Sequence, residues 1–156
     1  MSEIAPQRRA RRIAMSDEER DAFLRTARTC RVASLGAEGA PHVTPLWFVW
    51  DGTHLWLNSL MPSQRWTNLM RDPRVAVVVD DGHDYSDLHG VEFSGVVEPV
   101  GEQPRTGAPN PELDAVESAF GAKYLGGAHV HDGRHAWLRV RPVRQYTWDF
   151  RKLAGL

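Results

Sequence analysis

The segment Leu57-Asn58-Ser59-Leu60-Met61-Pro62-Ser63-Gln64-Arg65-Trp66-Thr67-Asn68-Leu69 combines hydroxyls, a guanidinium and the start of a helix. A strand ends near Asn58, Pro62 turns the chain, and Ser63 stands as N-cap of a helix whose Trp66, Leu69 and Met70 share a face. A helix start presents unpaired N–H groups and a partial positive charge of about half a unit. The hydroxyls of Ser59 and Ser63 and the guanidinium of Arg65 would complete a cradle for a phosphate group. Serine caps are common, so the same residues also fit a plain cap beside a solvated arginine.

Other reactive residue types form weaker patterns. His129-Val130-His131 with His135 could place two imidazoles on one face of an extended segment. No cysteine or carboxylate is evident beside them and the segment is a glycine-rich loop, so no metal is expected. Asp80, Asp81, Asp84 and Asp87 match a calcium loop in charge but lack its ligand order and closing glutamate. Cys30, the single cysteine, excludes an intramolecular disulfide and fits a reducing compartment. At a helix-to-strand junction it reads as buried rather than reactive. There is no nucleophile motif and no Gly-rich dinucleotide fingerprint, so no catalytic side chain is named.

The elements that must position these residues fit one domain. The chain has 156 residues, 42% hydrophobic and 25% charged, with a formal net charge of −1. That balance gives no field to recruit nucleic acid or a membrane surface, and no apolar run is long enough to span a bilayer. The N-terminus lacks a signal-peptide core, so a cytoplasmic location is expected. Residues 1–15, with Arg8, Arg9, Arg11 and Arg12, read as a flexible basic tail, and 16–156 as a single domain. Ser16 with Glu19 forms a capping box for a first helix carrying Phe23, Leu24 and Ala27.

From Arg31 the period changes to two. Strands are expected over 32–35, 42–50, 54–58, 75–79, 91–100 and 135–141, the last extending through 143–148 beyond Pro142. Asp51-Gly52 reads as a two-residue turn. Pro45 cannot donate to a ladder, which indicates an edge or a bulge. The run 75–79 reads as a strand buried on both sides. Asn110-Pro111 starts a further helix as N-cap and N1. The pattern is mainly β: six mostly antiparallel strands with short peripheral helices, which suggests a closed or split β-barrel, though the strand count alone leaves several β folds open. The six tryptophans fill such a barrel and an interface, or stack a planar ligand, with Trp47 and Trp56 as candidates.

Four pieces in order carry a family resemblance: Gly39-Ala40-Pro41-His42-Val43-Thr44-Pro45-Leu46-Trp47, then Ser63-Gln64-Arg65-Trp66-Thr67-Asn68-Leu69-Met70-Arg71-Asp72-Pro73-Arg74-Val75, then Leu88-His89-Gly90-Val91-Glu92-Phe93-Ser94-Gly95-Val96-Val97-Glu98, and Trp148-Asp149-Phe150-Arg151-Lys152-Leu153. Over about residues 16 to 154 the chain resembles the flavin/deazaflavin oxidoreductases, the split-barrel superfamily that includes pyridoxamine 5′-phosphate oxidase. The second and fourth pieces resemble its branch that uses the deazaflavin coenzyme F420. The pyridoxamine oxidase branch ends in an Arg-Leu-x-Pro type motif, which Arg151-Lys152-Leu153-Ala154-Gly155 does not match.

The resemblance implies a six-stranded antiparallel split β-barrel with short peripheral helices. It also implies a homodimer with the coenzyme in a groove between subunits and a small-molecule substrate, with no nucleic-acid or membrane partner. Ser59, Ser63, Gln64 and Arg65, beside Asn58, would hold the coenzyme phosphate, and Asn68 would brace the loop. Val43, Thr44, Pro45 and Leu46 would line the ring. Trp148 and Arg151 would reach across from the partner. Arg65 departs from the lysine of many relatives and keeps the charge with a different geometry. The implied activity is hydride transfer from reduced F420 to an activated double bond of a planar apolar substrate. An FMN-dependent, pyridoxamine phosphate oxidase-like enzyme and a non-catalytic coenzyme carrier are the alternatives.

Overall fold

A computed structural model describes residues 4–154. Helix α1 spans Asp17–Thr26, and both hydrogen bonds of the expected capping box are present between Ser16 and Glu19. Strands β1 (Cys30–Leu35), β2 (Pro41–Leu46), β3 (Phe48–Trp50) and β4 (Leu55–Leu60) follow, then helix α2 (Gln64–Arg71). The chain continues through β5 (Arg74–Asp81), β6 (His89–Val100), helix α3 (Pro111–Phe120) and β7 (His135–Asp149). Asn110 caps α3 from its side chain, with Pro111 at the first helical position as expected.

All pairings in the main sheet are antiparallel, in the order β2-β1-β5-β6-β7-β4-β3. The two end strands, β2 and β3, are separated in sequence by Trp47 alone. The sheet must therefore curl until its edges meet, which makes it a split barrel. Seven strands replace the six expected because the 42–50 stretch divides at Trp47. One half pairs with β1 and the other with β4 at the opposite edge, so one straight strand could not serve both.

Pro45 lies in the edge strand β2, where its missing N–H removes no ladder bond on the open side. The bulge falls at Pro142 instead. Ser94 pairs with Arg144 and Gly95 with Pro142, so Val143 is the extra residue and β7 continues to Asp149. The two-residue tip of the link is Gly52-Thr53, one residue beyond the expected Asp51-Gly52, since the Asp51 amide donates to the His54 carbonyl at 3.2 Å. Asp51 accepts the amides of Thr53 and His54, and Gly52 takes a φ of 95° that favours glycine.

Alternation sorts the side chains into two cores. Val32, Trp50, Leu55, Leu57, Val77 and Phe93 fill the barrel with Trp66 and Leu69 of α2. Val49, Trp56 and Trp137 point to the outer face and pack under Leu113, Val116 and Phe120 of α3. In β5, Val75, Val77 and Val79 are buried while Ala76 and Val78 are half-covered, so one face alone is fully enclosed. Within the basic segment before Ser16, the residues from Ile4 onward lie along β7. Gln7 makes hydrogen bonds to the Thr147 backbone in both directions, and Ile13 is buried. Among the described residues, no helix is long and apolar enough to cross a membrane.

Candidate functional site

Helix α2 seats on the barrel through Trp66 and Leu69, and this places Arg65 and Asn68 of the same helix under the sheet rim, both buried. Ser63 is its N-cap, with the hydroxyl accepting the Trp66 amide at 3.1 Å. The amides of Gln64 and Arg65 have no acceptor within the helix, as any helix start requires. Asn68 ties the helix to the sheet. Its Nδ2 donates to Ser34 Oγ at 3.1 Å, while its Oδ1 accepts from Gln64 at 2.8 Å and Arg71 at 3.1 Å.

Arg65 is 6% exposed. Its Nε donates to Ser59 Oγ at 3.2 Å and its Nη1 to Thr44 Oγ1 at 2.7 Å, so β4, β2 and α2 converge on one guanidinium. Both partners are neutral hydroxyls, and among the described residues no carboxylate lies within ion-pair distance of it. Burial pushes its pKa down from the ordinary arginine value. Cys30 supplies no negative charge, because burial pushes its thiol up to about 12. A cation taken out of water with only neutral partners is costly, and an anion beside it would relieve that cost. The hydroxyls and the amides at the α2 start provide the remaining donors, so the residues present fit a phosphate-bearing coenzyme.

Sequence reasoning missed two features of this cluster. The Thr44 hydroxyl binds Arg65 directly, whereas Thr44 was expected only as part of the ring lining. His42, on the same side of β2 and opposite Ser34, has a buried Nδ1 with no hydrogen-bond partner. Strand periodicity links His42 to Thr44, two residues apart, and was the available signal.

Several expected residues lie elsewhere in the protomer. Asn58 alternates with Ser59 along β4 and faces the α3 side with Trp56, away from Arg65. Val43 and Pro45 are exposed on the edge strand, and Leu46 is half-buried against the barrel core. Trp47, also exposed, stacks on Tyr124 at 4.5 Å between ring centroids and 8° between planes. Trp56 is not near the cluster; it is buried under α3 with its Nε1 donating to Asp51. Trp148 pairs with Gly90 at the far end of β7, where a Cβ on Gly90 would come within 2.5 Å of the indole. Arg151 pairs with Asp149, Nε to Oδ1 at 2.8 Å, and that hydrogen bond holds the Asp149 carboxyl below its usual range.

A second buried arginine lies beneath α3. Arg105, 5% exposed, meets Glu117 at 2.6 Å through Nε and Glu102 at 2.6 Å through Nη1. Glu117 also accepts from Trp137 Nε1 at 3.2 Å and sits 3.1 Å from His131 Nε2. Burial alone would raise the Glu117 pKa, but the bonds to Arg105 and His131 outweigh it and hold the carboxyl low.

The chain is a split barrel with an anion-ready helix start at its rim. The family model described as pyridoxamine 5′-phosphate oxidase matches residues 16–149, and the chain belongs to that family. Comparison with curated proteins finds no significant match. Among solved structures, a conserved hypothetical protein from Mycobacterium tuberculosis is 35% identical, with 97% of this chain and 94% of that one covered at a TM-score of 0.79. An F420 reductase is 23% identical over 81% of this chain and 94% of its own, at 0.61. An FAD-binding protein from Mesorhizobium loti is 20% identical over 86% and 94%, also at 0.61. The last two share the fold.

Proposed function

We propose that the chain is an F420-dependent reductase. It works in the cytoplasm as a homodimer and passes a hydride from the reduced deazaflavin to an activated double bond of a planar apolar substrate. The observation that carries this reading is the buried Arg65 guanidinium, held by two hydroxyls with no carboxylate, at the start of α2. The ending Trp148 to Leu153 and the structural likeness to a protein named as an F420 reductase favour the deazaflavin over FMN. When bound, the coenzyme supplies the hydride.

The protein's part is placement. Arg65, Ser59, Ser63 and the α2 amides hold the phosphate, and Asn68 locks the helix to β1. Leu46, on the same side of β2 as Thr44, would back the ring, and the backbone of Val43 and Pro45 at the sheet edge would line it. Trp148 and Arg151 lie far from Arg65 along β7; the dimer rests on the family resemblance, and in it these two residues would reach the site from the partner copy.

Titration of apo-protein with F420 and, separately, with FMN, followed by fluorescence, tests the coenzyme. Tight F420 binding with weak FMN binding is expected; the reverse would reassign the chain to an FMN enzyme. Anaerobic mixing of the loaded protein with enones, quinones and tetrapyrroles tests the chemistry, and reoxidation by at least one of them is expected. Tight binding without any turnover across the panel would leave a coenzyme carrier.

A further inference from the structure

We propose that Glu117, His129 and His131 form a metal site, separate from the coenzyme cradle, that takes a borderline divalent first-row ion such as zinc. The sequence places no carboxylate beside the two histidines and offers His135 as their companion. His135 is instead engaged by Asp132, at 2.6 Å. The fold supplies Glu117 from α3, and one ligand atom from each of Glu117, His129 and His131 lies within 4.8 Å of the others. Two imidazoles and a carboxylate with a fourth position left open are a ligand set that zinc accepts.

Three further observations favour a cation here. His129 has a buried Nδ1 with no hydrogen-bond partner, so its ring is not committed to the protein on that side. Arg105 takes Glu117 mainly through Oε1, at 2.6 Å against 3.3 Å for Oε2, so Oε2 is shared chiefly with His131. Arg105 therefore orients the carboxylate as an outer partner, an arrangement typical of ligating groups. The charge balance also permits a cation: Arg105 contributes +1 against −1 each from Glu102 and Glu117, leaving −1 before an ion arrives.

Zinc–ligand bonds of about 2.0–2.2 Å require the three donor atoms to draw together by roughly an ångström. The loop carrying the histidines can supply that movement, because Gly126, Gly127 and Gly133 lie around them and Gly126 and Gly133 already adopt positive φ. On binding, His131 Nε2 exchanges its hydrogen bond with Oε2 for the metal. The hydrogen moves to Nδ1 of a neutral ring or leaves a cationic ring to solvent.

The test uses the full chain without a histidine tag, stripped with chelator and titrated with Co²⁺ and then Zn²⁺. One Co²⁺ per chain is expected, with visible bands of tetrahedral nitrogen and oxygen ligation that Zn²⁺ abolishes. Tryptophan emission should fall as Co²⁺ binds, since Trp137 bonds to Glu117. His129→Ala and His131→Ala should each weaken binding by more than about tenfold. His131 is on the exposed side of the cluster, so its variant should still fold without metal, with a melting temperature lowered only by loss of the bond to Glu117, and it decides the matter if His129→Ala misfolds. Absence of stoichiometric binding by the wild type, or undiminished binding in His131→Ala, would overturn the site.

Discussion

Arg65 and Arg105 are matched in burial, at 6% and 5% exposure, and opposite in surroundings. Arg105 is enclosed by two carboxylates and also donates to the Ala108 carbonyl, so its charge is answered within the chain. Arg65 is answered only by two hydroxyls. A buried ion pair is expensive to break but is complete in itself. A buried cation lacking its anion holds part of its stabilisation in reserve for whatever binds. The contrast is between an arginine whose charge is paired within the chain and one left open to an anion.

Substitution at the two arginines should break that symmetry of burial most visibly. Arg105→Met leaves Glu117 buried without its main partner and should cost about 3 kcal/mol in denaturant unfolding. Arg65→Met removes a desolvated charge and should leave the apo-protein as stable as wild type or more so. A comparable loss in both would erase the distinction.

Acid should act on the same pair. Glu117 has its folded pKa held below the ordinary 4.5, so its contribution is present above that value and fades as pH falls through the folded one. The stability gap between wild type and Glu117→Gln, measured by urea melts, should therefore close below about pH 4.5. Ser63→Ala should cost about 1 kcal/mol by loss of the α2 cap.

The smallest effect is at Lys123, where burial pushes the amine down to about 8 from 10.5. Its charge is disfavoured in the folded state, so stability gains as pH rises between those values. Lys123→Met should raise the melting temperature at pH 7 by roughly 2 °C, and the gain should shrink by pH 10.

What was legible in the sequence was local. The Ser16 box, the Asn110-Pro111 start and the Ser63 cap each depend on residues within one turn and were read directly. The division at Trp47 was not legible, because it depends on two sheet edges meeting that lie six strands apart in the pairing order. Arg65 could be singled out as a candidate for holding a phosphate, but its bond to Thr44 spans 21 residues and needs the fold. The separation of Asn58 from Ser59 was within reach, since neighbours in a strand face opposite ways. Glu117 and His131 meet across the turn after α3, and no spacing rule joins them.

The most direct test is F420 affinity in Arg65→Met, measured alongside apo-protein stability. If Arg65 binds the coenzyme phosphate, affinity falls by around 2 kcal/mol, the loss of a charged hydrogen bond, while the melting temperature holds or rises. Unchanged affinity would remove Arg65 from the site and contradict the reading of α2 as the coenzyme anchor.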